Sequence, residues 1–449
     1  MNVLLRQPYV LTLDGGPDIR IRLAGDPGAA CLRVSNLFLD GAAAHWLTSG
    51  SMPDRPLRLW RTRDELPEAQ LASDLLPVLF AANDEAPYWR QADTLATLNL
   101  DVFGSAFFML TRYEELVTKE RDQHGRFPAT ASLAYQEDFL HRPIINEYAE
   151  ILWACMKRVW PQLERPAHEP RVLLSHDVDR PLLPYATPPR VALSVGADLL
   201  KRRDPVLALR RLRAYAARRR GDHSVDPHNT FDQIMDLSET HGLKSAFYFI
   251  AGNSAGVIDG EYSLTDPFVR RLMRRVHERG HEVGLHPSYG SYRDPRIVRR
   301  EFAALRHAAK EFGINQSTWG GRQHYLRWEA PTTWQAWEDA GLTYDSSVGY
   351  ADHVGFRTGV CTEYPVFNVL TRQALALTER PLIVMEGTLL SKAYMGLDYR
   401  EAARTASELI RVCRRFRGDF TLLWHNSHLI TRQDWTLLRQ ILSEATASP

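Results

Sequence analysis

A chain of 449 residues is long enough for two or three domains, and 44% hydrophobic with 24% charged residues is the composition of a folded protein rather than a disordered one. A formal net charge of +1 excludes binding to polyanions through overall charge, so any basic patch has to be local. Cys31, Cys155, Cys361 and Cys413 are scattered with no CxxC pair, which argues against a zinc ribbon or disulfide framework and fits a reducing cytosol. The opening stretch, MNVLLRQPYVLTLDGG, lacks the basic start and long apolar core of a signal peptide. No apolar run is long enough to cross a bilayer. The expected setting is cytoplasmic, with peripheral contact at the inner membrane.

Residues 1–165 read as a separate, mixed α/β domain of unassigned role. Within it, residues 92–117 read as a loop followed by a helix. Three prolines in PQLERPAHEP mark a boundary at 161–170. From 171 onward, short apolar runs alternate with helical stretches. The strand candidates are 171–175, 244–250, 281–286, 382–386 and 420–425. The helices carry punctuation. Thr230 with Gln233 has the capping-box pattern and Gly242 is a stop, while Asp266 is an N-cap, Pro267 fits the first turn and Gly280 ends that helix. Strands alternating with helices predict a parallel sheet or barrel.

One stretch interrupts this order. Residues 190–220 hold ten Lys and Arg against Asp198 and Asp204, with Leu199, Leu200, Val206, Leu207, Leu209 and Leu212 interleaved. The pattern predicts a basic, amphipathic helical insertion at about 190–222. Such a segment is a solvated helix face or a surface for anionic lipid headgroups or a phosphate-bearing substrate. Nucleic acid is not expected, because no aromatic ladder accompanies the charges.

Polar residues gather where the strands end. RVLLSHDVDRP runs an apolar strand into His176, Asp177 and Asp179. Two carboxylates two residues apart repel unless a cation, an arginine or a protonated histidine sits between them. His286 ends the strand at 281–286, Arg322 and His324 lie in GGRQHYL, Asp345 and Ser346 in YDSS, and Trp424 and His425 in LLWHN. Catalytic groups of α/β sheets and barrels sit at the carboxyl ends of strands. Aspartate and histidine suit a divalent metal such as zinc, a second carboxylate suits a general base, and a histidine on the opposite wall suits a general acid. That set fits metal-assisted hydrolysis of an amide or ester. There is no G-x-S-x-G elbow and no P-loop.

The order of these motifs over residues 171–435 resembles the polysaccharide deacetylase family, also called NodB-like or carbohydrate esterase family 4. The resemblance implies an α/β fold, a distorted seven-stranded (β/α) barrel over 171–449, removing N- or O-acetyl groups from sugars with a divalent metal. Zinc is the expected ion, with cobalt, manganese and nickel as alternatives. It implies Asp177 as base, Asp179 as metal ligand, Arg322 as the residue orienting the base and His425 as general acid. Ser346 falls in the region of the family's fourth motif and is expected to bind substrate. His286 stands for the first of two histidines four residues apart, and Gly290 stands where the second belongs. The third ligand is then expected at His176, with His281, Ser288, Ser291 or water as alternatives. Tyr325 and Trp424 are expected as stacking walls for a pyranose ring. The pattern DVFGSAFFMLTRYEE…GRFPA…RPIINEY resembles a domain that precedes such deacetylases in some bacterial chains. The implied substrate is an acetylated sugar, or a lipid- or nucleotide-linked glycan, in surface-polysaccharide or glycolipid assembly. Two other readings share these residues: an amidohydrolase acting on another C–N bond such as N-formyl, and a degenerate fold that binds glycan or scaffolds a complex.

Overall fold

The computed structural model describes residues 9–13, 18–24, 30–81, 87–92, 95–166, 168–183 and 188–447. The first eight residues, on which the leader expectation partly rests, lie outside them.

The N-terminal part is built on a five-stranded sheet in the order β1-β2-β3-β7-β6. Its strands are β1 (Tyr9–Leu13), β2 (Asp18–Leu23), β3 (Cys31–Ser35), β6 (Trp89–Ala92) and β7 (Leu95–Leu98). A separate antiparallel pair, β4 (Arg58–Arg61) and β5 (Leu75–Val78), lies between them in sequence. The stretch at 92–117 therefore opens with a strand where a loop was expected. Two helices follow, Val102–Leu110 and Tyr113–Val117, and Asp101 caps the first by accepting from the Gly104 N–H. The helix Ile144–Val159 buries Ile144, Ile145, Tyr148, Ile151 and Leu152 against this part.

From residue 172 a second sheet begins, nine strands in the order β13-β14-β12-β11-β10-β9-β8-β16-β15. The strands are β8 (Val172–Val178), β9 (Ala246–Ile250), β10 (Glu282–His286), β11 (Gly320–Gly321), β12 (Tyr344–Asp345), β13 (Tyr364–Asn368), β14 (Gln373–Glu379), β15 (Val384–Met385) and β16 (Phe420–Leu423). All neighbours pair in parallel except β13 with β14. The sheet is thus an eight-stranded parallel run with an antiparallel edge. Seven strands and a closed barrel were expected; no pairing between β13 and β15 closes the sheet among the described residues. Strands β11 and β12 escape a periodicity reading because each is only two residues long.

The helix ends follow the expected punctuation in part. Asp266 caps the helix Pro267–Glu278 by accepting from the Phe268 N–H, and Gly242 and Gly280 take positive φ after their helices. Thr230 makes no cap hydrogen bond; its hydroxyl donates to the Asn426 carbonyl instead, tying helix Phe231–Thr240 to the loop after β16. The basic insertion is two helices, Pro188–Leu200 and Pro205–Arg218. All four cysteines are buried and unpaired. Among the described residues, no helix is long and apolar enough to cross a membrane.

One hydrophobic cluster contains residues from both parts, including Phe108, Tyr148 and Ile151 with Phe247, Trp334 and Trp424. Ion pairs also cross between them. Glu115 accepts from Arg112 at 2.8 Å and from Arg357 at 2.9 and 2.6 Å, all three side chains buried.

Candidate active site

Parallel pairing brings the carboxyl ends of β8, β10, β11, β12, β15 and β16 to one end of the sheet. Strand alternation then sorts β8's polar cluster by face. Asp177 and Asp179 face the site, and His176 faces the other way. The His176 Nδ1–H donates to the Trp424 carbonyl at 2.7 Å, its ring packs on Phe247, and burial pulls it down to about 4. The expected metal role for His176 is therefore corrected: it is a neutral core histidine.

Arg322 answers the first aspartate. Its Nη1 donates to Asp177 Oδ1 at 2.8 Å, and both side chains are buried. Ser346 holds that arginine from behind, its carbonyl accepting from Nε at 2.8 Å and its hydroxyl from Nη2 at 3.0 Å. Ser346 is buried, so it positions Arg322 and does not line a substrate site. The paired glycines before Arg322 allow this placement: a Cβ at Gly321 would collide with the Leu285 carbonyl of β10.

Asp179 meets three histidines. Its Oδ1 lies 3.1 Å from His286 Nε2 and 3.7 Å from His324 Nε2, and its Oδ2 lies 3.7 Å from His425 Nε2. Burial opposes ionisation of Asp179, but the histidines outweigh it and hold its carboxyl well below the usual range. His286 and His324 use their other nitrogens elsewhere. His286 Nδ1–H donates to the Arg322 carbonyl at 2.6 Å, and His324 Nδ1–H to Asp259 Oδ1 at 3.1 Å. Asp259 in turn accepts from the N–H groups of Ser254, Ala255 and Tyr289. These outer bonds fix both rings with Nε2 aimed at Asp179, the arrangement by which metal-binding histidines are oriented.

The residues fit a divalent cation. Asp179 Oδ1, His286 Nε2 and His324 Nε2 are buried without a hydrogen-bond partner, and ligand atoms of the three residues lie within 4.8 Å of one another. One carboxylate and two imidazoles leave open positions, as a catalytic zinc site requires. His324 comes from the next strand end, after β11, rather than from the loop after β10, where the resemblance set a second histidine and Gly290 stands. The other expected third ligands are occupied: the Ser288 hydroxyl donates to Glu301, the Ser291 hydroxyl to Gln323, and His281 lies just before β10, at its far end from the site, accepting from the Ser245 N–H. The signal for His324 was present, two residues beyond the arginine in GGRQHYL. Nothing in its spacing from Asp179 distinguishes it from a core histidine.

The opposite wall is a carboxylate–histidine pair. Glu386, immediately after β15, accepts from His425 Nδ1 at 2.6 Å and His428 Nδ1 at 2.7 Å. Burial works to lower His425; the charge and hydrogen bond of Glu386 outweigh it and push it up to about 10. Sequence reasoning missed Glu386, because a lone glutamate after a short apolar run carries no pattern.

Of the two expected aromatic walls, one stands at the mouth. Tyr325 is 38% exposed, with its ring 4.8 Å from that of His324. It and Leu326 take φ of 62° and 53°, a left-handed pair rare for bulky residues and braced by Arg126 Nη1, which donates to the Tyr325 carbonyl at 2.9 Å. Trp424 is corrected: it is fully buried in the core and cannot stack on a substrate. Asp345 lies at the back, with Oδ1 accepting from the Ser347 N–H; burial raises it and its neighbour Glu379, and Asp345 adds to the rise at Glu379.

Comparison with known proteins gives one family match, a family of unknown function (DUF7033), over residues 58–161. No curated protein sequence matches the chain. Among solved structures, the chain is similar to a protein assigned as a polysaccharide deacetylase from Mycobacterium smegmatis: 14% identity, TM-score 0.41, covering 64% of this chain and 86% of that one. It is similar to the polysaccharide deacetylase Bc1974 from Bacillus cereus at 14% identity and TM-score 0.28, covering 47% of this chain and 79% of that one. A family 4 carbohydrate esterase from Streptomyces lividans matches at 10% identity and TM-score 0.28, covering 62% and 88%. These likenesses are distant, and the site's own residues carry the chemistry.

Proposed function

We propose that the chain is a metal-dependent hydrolase that removes an N-acetyl or O-acetyl group from a sugar. The observation carrying this reading is the convergence of Asp179, His286 and His324, with Asp177–Arg322 on one side and His425–Glu386 on the other. A divalent cation, with zinc the best match to these donors, would be held by Asp179, His286 and His324 and would polarise the acyl carbonyl and lower the pKa of a water. Asp177 accepts the proton of the attacking water, and Arg322 fixes its carboxylate in orientation. His425 Nε2–H donates a proton to the departing nitrogen or oxygen as the bond to the acyl carbon breaks. The products are acetate and the amino or hydroxyl sugar. Glu386 holds His425 in the tautomer and orientation that aim Nε2 at the site. Tyr325 offers its ring face to the sugar.

An amidohydrolase cleaving another C–N bond would use the same groups, and a screen of N-acetyl, O-acetyl and N-formyl sugars separates the two. The degenerate-binder reading drew on the missing histidine at Gly290; His324, within reach of Asp179 and His286, supports the enzyme reading over it. A cytoplasmic enzyme of surface-polysaccharide or glycolipid assembly is the setting in which we place it. The test is elemental metal content of the purified chain followed by acetate release from acetylated amino sugars. About one equivalent of a divalent metal with acetate release supports the reading; no metal after soaking with zinc, cobalt, manganese and nickel would defeat it.

A further inference from the structure

The basic insertion plays no part in that chemistry, and its helices Pro188–Leu200 and Pro205–Arg218 pack on each other as a hairpin. Asp204 caps the second helix, accepting from the Leu207 N–H at 2.8 Å. Buried Asp198 binds both Arg202 and Arg211 and so locks the hairpin. Other cations are left over: no carboxylate among the described residues pairs with Arg180, Arg190 or Arg219. Apolar side chains are left over too. Leu200, Leu193 and Val206 are 82%, 74% and 73% exposed, and Leu199, Leu209 and Leu212 are exposed as well. Clustered apolar exposure of this kind marks an interaction surface.

Between the helices and Leu183 lies a cavity of ≈ 630 Å³, lined by Val191, Leu193, Ala214 and Tyr215 together with Arg190, Arg218 and Arg219. That volume is within the roughly 300–1,000 Å³ of small-ligand pockets. Its one acid, Asp226, is committed to the N–H groups of Leu183 and His228. A second cavity of ≈ 290 Å³ shares Leu183, Arg190 and Arg218 with the first and extends to Arg180, Gly260 and Tyr262. Two acids line it as well, Glu261 and Asp266, and Asp266 caps a helix. This second cavity reaches the end of β8. The Tyr262 hydroxyl donates to the Val178 carbonyl at 2.7 Å, and a Cβ at Gly260 would lie 2.6 Å from the Asp179 carbonyl. The two spaces form one run from an apolar slot, past arginines, to the metal-binding strand end.

We propose that this run binds a phosphate-bearing long-chain lipid. The hydrocarbon chain lies in the slot between the helices, and the phosphate sits on Arg190, Arg218 and Arg219. A sugar carried on that phosphate then extends past Arg180 toward Asp179; this last element rests on the deacetylase reading. Charge complementarity selects the occupant: a neutral lipid leaves Arg190 and Arg219 without a counter-charge, and a free phosphate leaves the slot empty. Guanidinium forks suit phosphate oxygens better than ammonium groups do.

The test is calorimetric titration of the full-length chain with dodecyl phosphate below its micelle concentration. One molecule should bind, with inorganic phosphate and neutral dodecyl maltoside each weaker by about tenfold or more. Ser194→Trp, which fills the slot at a half-buried position, and the double variant R190E/R219E should each weaken binding by about tenfold or more, with far-UV circular dichroism unchanged. Equal binding of dodecyl maltoside, or binding unaffected by both variants, overturns the proposal. Binding to phosphatidylglycerol vesicles that survives Ser194→Trp, with no binding of dodecyl phosphate, reassigns the face to a bilayer surface. The readout does not use turnover. Lipid binding without hydrolysis of any soluble acetylated sugar would count against the deacetylase reading and not against the groove.

Discussion

At the scale of single residues, the proposed roles divide side chains that act from those that hold them. Asp177→Asn should lower kcat by about 10²–10⁴-fold, the range for a general base, with metal content unchanged. Activity near that of the parent would remove Asp177 as base. His324→Ala should lose bound metal, as should His286→Ala, whereas His176→Ala should keep it; elemental analysis of the three purified variants checks the assignment. Asp259→Asn should weaken metal affinity by about 10–100-fold, because it frees the His324 ring to turn. Glu386→Gln has a pH signature. Glu386 raises His425, and activity that needs His425 protonated falls as pH rises through its pKa. Removing the carboxylate lowers that pKa, so the alkaline limb of the rate profile should move toward lower pH along with a fall in kcat. An unmoved limb would mean that another group is the acid.

At the scale of elements, the segment before the boundary braces the site. Arg126 binds the Tyr325 carbonyl and the Tyr394 hydroxyl, and Arg327 reaches back to the His124 carbonyl at 2.7 Å. The left-handed turn at Tyr325 and Leu326 persists because these neighbours hold it. Deeper in, Glu115 joins Arg112 and Arg357. Burial alone would raise its carboxyl, but the two guanidiniums outweigh burial and lower it. A carboxyl lowered on folding adds stability above its unfolded pKa and loses it as pH falls through the folded value. Glu115→Gln leaves two buried arginines short of a partner and should cost about 3–5 kcal/mol in denaturant unfolding. The variant should also lose less stability than the parent on going from neutral pH to acid. A variant that unfolds like the parent at neutral pH would show the cluster to be energetically idle.

At the scale of the molecule, the two parts share a hydrophobic cluster and buried charges, so neither closes its own surface. Residues 171–449 expressed alone should therefore lack a cooperative unfolding transition, with apolar surface exposed to dye. A cooperative transition at the full chain's Tm would restore the picture of an independent domain. The boundary at 161–170 is legible as a connection, between the helix ending at Val159 and β8 starting at Val172. That a connection exists says nothing about how much surface the flanking parts bury.

Much of this architecture could be read from local pattern. The apolar runs at β8, β9, β10 and β16, the caps and stops of their helices and the polar residues at strand ends all follow from periods and turn chemistry within a few residues. That Asp177, Asp179, His286, Arg322 and His425 gather at one end of the sheet was legible for that reason. What escaped depends on distance in sequence. Strands of two residues exist because neighbours pair with them, and β12 and β14, which pair with each other, both lie outside the strand candidates. The faces on which His176 and Trp424 lie follow from which strands flank them. Glu386 reaches His425 across 39 residues, and His324 reaches Asp179 across a still longer gap. A ligand set is a property of atoms converging in space. The chain specifies which residue types are at hand, and the sheet's strand order specifies which of them meet.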